Sequence, residues 1–140
     1  VERYPKLLAR RREIIGLYNK ALSVKEGTAF GEVNCHKVQV LNHYNEEQSS
    51  SGHLYLVRLM DRDMEFRNET INKMAERGIA CNVHYKPLPM MTAYKNLGFN
   101  IKDYPNAYNQ FVNEITLPLH TRLSDEDIEY IVTNLVEIIG

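Results

Sequence analysis

The sequence has little of three features that often point directly to a function: cysteine, net charge and long apolar runs. Its only cysteines, Cys35 and Cys81, lie far apart. They form neither a disulfide framework nor a metal knuckle, and they predict a reducing, cytoplasmic setting. A formal net charge of -1 gives no electrostatic reason for a nucleic acid or an anionic membrane as partner. No apolar stretch approaches the length that spans a bilayer.

What remains is the composition of an ordinary soluble domain, with 44% hydrophobic and 25% charged residues in a chain of 140. That length predicts one domain, residues 1–140. The chain begins with Val1 rather than methionine, and it is already inside a helical pattern. We therefore expect a piece of a longer parent protein, in which a helix over residues 1–23 continues from a preceding domain.

The first half predicts one long helix and two strands. Apolar residues recur at helical spacing from Pro5 to Ser23, with the arginines of residues 10–12 on three different azimuths. Such divergent arginines favour a solvated face or a domain contact over a phosphate site. "HKVQVLN" predicts a short strand, and "HLYLVRLM", residues 53–60, predicts a strand covered on both faces. Without a parent domain, we expect that apolar strand to leave exposed surface.

A second helix and a second long strand follow. Residues 61–78 predict a helix that ends at Gly78 and buries Ile71, Met74 and Ala75. "IACNVHY", residues 79–85, then predicts a strand whose alternate residues face opposite sides.

The last third predicts short helices near 90–97 and 105–113, a strand in "EITLPL" and a final helix. Ser124 and Asp127 form a capping box for that helix, and its apolar stripe is continuous. This order of elements predicts an α+β fold, a small and mostly antiparallel sheet with helices packed on one face.

Several segments in this order resemble one protein family. They are "SGHLYLVRL", a helix that ends in "RGI", "NVHYKPLP", "YP" followed by alanine at the second position, and "LPLH" with "LSDEDIEYIVTNL". Together they resemble the C-terminal small domain of the DegT/DnrJ/EryC1/StrS family. These are pyridoxal-phosphate-dependent aminotransferases of fold type I that act on keto sugars attached to nucleotides.

The resemblance implies that this chain supplies only part of a catalytic site. In the family, the lysine that forms the Schiff base with the cofactor lies in the preceding large domain. We therefore predict no catalytic residue here, pyridoxal phosphate in the parent and none bound to this chain alone. Lys86 lies between Tyr85 and Pro87 in a segment that predicts an open loop, whereas a Schiff-base lysine needs desolvation or neighbouring charge. A dehydratase of the same family, with that lysine replaced, stays equally open.

Six residues are predicted to line the substrate and cofactor cleft: His53, Arg58, His84, Tyr85, Lys86 and Pro87. His53 follows a flexible loop and starts a strand, and the matching histidine of the family resembles a group that faces the substrate. The "HYKPLP" run resembles a loop at the edge of the sugar-nucleotide site, although Pro89 stands where the family commonly has a second histidine. Arg58 is either an edge charge or the partner of an acidic group or phosphate.

The implied partners are the large domain of the same chain, a second subunit, a nucleotide sugar and an amino-acid donor. No histidine or cysteine spacing matches a standard metal site. The alternative from another class is a free-standing α+β ligand-binding or regulatory module without a cofactor.

Overall fold

A computed structural model describes residues 2–140 of the chain. Within them lies an antiparallel sheet of four strands in the order β1-β2-β3-β4, together with five α-helices. The strands are β1 (Phe30–Val33), β2 (His36–Val40), β3 (Tyr55–Leu59) and β4 (Glu114–Leu117). The helices are α1 (Tyr4–Ala21), α2 (Met64–Glu76), α3 (Thr92–Asn96), α4 (Pro105–Asn113) and α5 (Asp125–Ile139). The predicted α+β class with an antiparallel sheet is confirmed.

One face of the sheet forms the main core. The register aligns Val40 with Val57 and Val57 with Ile115, so alternate residues of three strands make one apolar surface. That surface packs with α1 and α5. Tyr18 of α1 stacks on Tyr55 with ring centroids 4.6 Å apart, and its hydroxyl donates to the Pro118 carbonyl at 2.7 Å. The buried phenol therefore keeps a hydrogen-bond partner.

The opposite face of β3 is also covered, as the sequence predicted. Leu56 on that face is 8% exposed, and Arg58 bonds to residues of α4. The apolar strand is thus enclosed within this chain, and the exposed apolar surface that the sequence placed there lies elsewhere.

The predicted strand at 79–85 is wrong. Only Asn82 pairs with a strand, in a single bridge to Thr116 with N–H to O distances of 3.2 and 2.8 Å. Side chains then take the next two backbone donors, of which the His84 N–H is the one that a ladder with β4 would use. The Val83 N–H donates to Asn82 Oδ1 at 2.7 Å, and the His84 N–H donates to Glu114 Oε2 at 3.2 Å. Because these N–H groups donate to side chains, the segment forms no further backbone hydrogen bonds with β4.

Helix α2 is followed by the predicted glycine but begins at Met64, three residues after the start of the predicted segment. Asp63 accepts the Phe66 N–H at 2.9 Å as N-cap, and Gly78 follows the helix with φ of +77°. Of the predicted buried face of α2, Met74 is buried and Ile71 packs partly buried against the core, whereas Ala75 is exposed. Arg67 is buried instead, because its guanidinium reaches the Phe111 carbonyl at 3.0 Å.

The arginines of α1 diverge, as their azimuths predicted. Arg10 donates to Asp125 Oδ1 at 2.8 Å and to the Leu123 carbonyl at 2.7 Å. Arg11 donates to the Gly52 carbonyl at 2.6 Å, while Arg12 meets a serine of the 45–52 loop. These side chains fasten α1 to α5 and to the loop before β3. None of the described helices is long and apolar enough to cross a bilayer.

Helix α5 has the capping box that its sequence predicted. Ser124 Oγ accepts the Asp127 N–H at 3.1 Å, and Asp127 Oδ2 accepts the Ser124 N–H at 2.8 Å. The apolar stripe of the helix is buried against the core. The structure therefore confirms both the capping box and the buried stripe that the sequence predicted for α5.

Removing this cap gives a testable loss of stability. Ser124→Ala is expected to lower the free energy of unfolding by about 1 kcal/mol, because the Asp127 N–H loses its acceptor. Urea unfolding followed by circular dichroism measures the change. Thr133→Ala, at an exposed position of the same helix, is the control and should be nearly neutral. Equal effects of both variants would show that the box does not stabilise α5.

Candidate functional site

His53 lies two residues before β3, with its side chain exposed. The backbone beneath it is held by Arg11, which donates to the Gly52 carbonyl at 2.6 Å and to the His53 carbonyl at 3.4 Å. An exposed imidazole on a restrained backbone can meet a ligand without a large loss of loop entropy.

Arg58 serves as a clamp between elements. Its Nε, Nη1 and Nη2 donate at 3.0 Å each to Asn113 Oδ1, Gln39 Oε1 and the Asn109 carbonyl. These partners are neutral, so the acidic or phosphate partner that the sequence suggested does not appear among the described residues. The guanidinium ties β2 and β3 to α4.

The 84–87 loop has two half-buried residues, His84 and Pro87, and two exposed ones, Tyr85 and Lys86. His84 is half-buried, and its Nδ1 lies 3.0 Å from Thr116 Oγ1. Its ring meets the ring of Tyr85 edge to face at 4.7 Å. Tyr85 is 68% exposed, and Lys86 is exposed as well. Pro87 precedes a 3₁₀ turn, Leu88–Met90, so the loop ends on a fixed backbone.

A buried polar network lies under His84, and sequence reasoning missed it. Glu114 is 1% exposed; its Oε1 accepts from the Thr116 hydroxyl at 2.7 Å and its Oε2 from the His84 N–H at 3.2 Å. Burial raises the pKa of the Glu114 carboxyl, while these two hydrogen bonds and the charge of Arg67 act to lower it. The sequence does contain one sign of this network. Glu114 begins the apolar run "EITL", and a carboxylate buried in such a run needs hydrogen-bond partners.

Arg67 is the positive member of this buried group. It is 2% exposed, donates to the Phe111 carbonyl at 3.0 Å and the Glu114 carbonyl at 3.4 Å, and lies over the Phe111 ring at 5.0 Å. Burial lowers the pKa of its guanidinium, and Glu114 acts to raise it. The residue thereby connects α2 to both α4 and β4.

The six predicted cleft residues fall into separate groups. The described residues contain no hydrogen bond or ring contact between His53 and either His84 or Tyr85. His84 is hydrogen-bonded to Thr116, which pairs with Leu56 of β3. His53, in contrast, lies two residues before the start of β3. A ligand that touched both histidines would therefore have to extend past the end of β3.

The lysines of the described residues do not have the surroundings of a Schiff-base lysine. Every lysine in residues 2–140, Lys86 included, is exposed, and none has the desolvated environment that activates a Schiff-base amine. Within the same residues no group of three or more His, Cys, Asp or Glu side chains is placed to hold a metal ion. Cys35 and Cys81 are free thiols, and burial raises the pKa of Cys81 to about 11, which makes it a poor nucleophile.

The comparisons with known proteins agree on one family. The sequence profile of the DegT/DnrJ/EryC1/StrS aminotransferase family matches residues 1–136. The chain is 46% identical to Spr1654 of Streptococcus pneumoniae, assigned as a sugar aminotransferase, in its PMP form, with a TM-score of 0.85 over 98% of this chain and 32% of that one. The PLP form of Spr1654 gives 45% identity and a TM-score of 0.86.

Two further relatives agree. The aminotransferase TlmJ of Streptoalloteichus hindustanus is 27% identical, with a TM-score of 0.78 over 99% of this chain and 33% of that chain. The UDP-4-amino-4,6-dideoxy-N-acetyl-beta-L-altrosamine transaminase of Campylobacter jejuni is 26% identical over 94% of this chain and 32% of that protein. The chain thus spans about a third of the length of each of these proteins.

Proposed function

Because the chain belongs to the DegT/DnrJ/EryC1/StrS aminotransferase family, we propose that it is the C-terminal small domain of a pyridoxal-phosphate-dependent aminotransferase acting on nucleotide-linked keto sugars. The observation that carries the proposal is the match to Spr1654, at 46% identity over 98% of this chain. The one-third coverage of that protein supports a partial domain, and the names of the curated relatives support the substrate class.

The proposal assigns the cofactor lysine to the part of the parent that this chain does not include. Support comes from the exposure of every described lysine, since an activated amine needs a desolvated site. The bound cofactor would supply the electron sink for amino transfer. The residues of this chain would bind and orient the substrate and exclude water from it. The parent's partners in this proposal are a second identical subunit, a nucleotide sugar and an amino-acid donor.

Within this domain, we assign substrate contact to His53 and to the 84–87 loop, and support of the cleft wall to Arg58. Exposure of His53, Tyr85 and Lys86 leaves them free to meet a ligand, whereas Arg58 is held by its three amide partners. Exposed Tyr4 and Leu7 on α1 support the assignment of this helix as the one that meets the large domain. Val1, where the predicted helix over residues 1–23 begins, lies outside the described residues.

The test is His53→Ala in the complete protein that contains this chain. Loss of one hydrogen bond to the substrate is expected to lower kcat/KM for amino transfer about tenfold. The free energy of unfolding should change by less than about 0.5 kcal/mol, because the side chain is exposed. Steady-state kinetics and urea unfolding provide the two readings.

His36→Ala is the matched control. The antiparallel register, with Val38 opposite Leu59, places His36 beyond the end of β3 that lies away from His53. Its kinetics should equal those of the unsubstituted enzyme. Unchanged kinetics for His53→Ala would remove His53 from the site.

A further inference from the structure

The Thr116 hydroxyl lies between two groups that can each accept a hydrogen bond. Glu114 Oε1 is 2.7 Å away on one side and His84 Nδ1 is 3.0 Å away on the other. A hydroxyl has one proton, so it can donate to only one of them. The direction of its donation therefore decides whether His84 Nδ1 must itself carry a proton.

The surroundings of Glu114 set that direction. Its second oxygen accepts the His84 backbone N–H at 3.2 Å, and Arg67 of α2 acts on it with positive charge. Burial raises the pKa of the Glu114 carboxyl, while the His84 N–H, the Thr116 hydroxyl and the charge of Arg67 oppose that rise because they favour the ionised form. Above that raised pKa the group is a carboxylate. A carboxylate only accepts, so Thr116 donates to Glu114, and His84 Nδ1 has to donate to Thr116.

We propose that Glu114, acting through Thr116, fixes neutral His84 in its Nδ1–H tautomer and so presents Nε2 as a hydrogen-bond acceptor at the surface of the 84–87 loop. Nε2 has no hydrogen-bond partner among the described residues, and it is not one of their buried unsatisfied atoms. Glu114 and Thr116 are positioning residues, which orient His84 without touching a ligand.

The ligand chemistry follows from the acceptor. Nε2 in this tautomer takes a hydroxyl or N–H donor and rejects another acceptor such as a carbonyl or phosphate oxygen. Identifying that donor as a hydroxyl or amino group of a nucleotide-linked sugar rests on the proposed function. The tautomer itself does not, because every group that sets it lies within this chain.

The test is ¹⁵N NMR of the ring nitrogens in the histidine-labelled chain, recorded well above the ordinary histidine pKa of about 6.5. His84→Gln identifies the His84 resonances by their loss. The expected spectrum has Nδ1 protonated and Nε2 unprotonated. Nε2–H as the main form, or a mixture of the two tautomers, overturns the proposal.

Glu114→Gln reverses the direction of the network. The amide oxygen keeps the His84 N–H, its NH₂ donates to Thr116, and the Thr116 hydroxyl then donates to Nδ1. The expected result is a change of His84 to mainly Nε2–H, and an unchanged Nδ1–H tautomer overturns the proposal. Thr116→Ser keeps the hydroxyl and should keep Nδ1–H, whereas Thr116→Val removes it and should release the fixed tautomer. Any of these failures leaves the family match and the proposed function intact, since neither depends on the tautomer of His84.

Discussion

Arg67→Ala is expected to lower the free energy of unfolding by about 3 kcal/mol, a large fraction of a small domain's total stability. The substitution leaves the Phe111 carbonyl without its donor at 3.0 Å and removes the contact between the guanidinium and the Phe111 ring. It also takes away the buried positive charge that opposes the desolvation of Glu114. Urea unfolding followed by circular dichroism measures the loss.

Two variants isolate the cause of that loss. Lys73→Ala removes an exposed ion pair with Glu69 on the same helix and should cost less than about 0.5 kcal/mol. Adding Glu114→Gln to Arg67→Ala should recover part of the loss, because no uncompensated carboxylate then remains buried. If Arg67→Ala cost no more than Lys73→Ala, Arg67 would not hold α2 to the sheet.

The 140-residue chain is expected to bind a hydrophobic dye or to self-associate, through a surface formed by residues 85–108. Large apolar side chains are concentrated there and exposed: Tyr85, Leu88, Met91, Leu97, Phe99, Tyr104 and Tyr108. Such a concentration marks a contact surface, and the proposed function assigns it to the rest of the parent or to a second subunit. Leu88→Ser with Leu97→Ser should reduce dye fluorescence by about half, since these side chains are 52% and 73% exposed.

Leu7→Ser is the matched control for that surface. Leu7 is 44% exposed on α1, well separated in sequence from residues 85–108, and its replacement should leave most of the fluorescence. Sedimentation of the same samples measures self-association. A strictly monomeric chain without dye binding would count against a domain that needs a partner, and would favour the free-standing module.

Local patterns predicted the helices well because their determinants are local. Helix α5 carries its cap and its stripe within sixteen residues of sequence, and α2 ends at a glycine with positive φ. The apolar run of β3 likewise predicted burial on both faces, which the structure confirms. Strand β1 escaped notice because "FGEV" is short and lacks a clear alternation.

The network under His84 depends on contacts that no local pattern contains. His84 and Glu114 are 30 residues apart, and the side chain of Glu114 takes a donor that would otherwise continue a strand. The same contact explains why the strand predicted at 79–85 does not form and why Glu114 itself was missed. Likewise, Ala75 belongs to the apolar face that the sequence predicts, but it is exposed. Arg67 of the same helix is buried instead, through a contact with α4 that no local pattern contains.

The most direct test of the proposed function is the transfer of ¹⁵N from a labelled amino acid to a nucleotide-linked keto sugar. The assay uses the complete protein that contains this chain, supplied with pyridoxal phosphate. We expect ¹⁵N in the sugar with UDP- or dTDP-linked substrates, and no transfer by the 140-residue chain alone, since every lysine described in it is exposed. A complete protein that binds the cofactor but leaves every such sugar unlabelled, or a 140-residue chain that performs the transfer by itself, would contradict the proposed function.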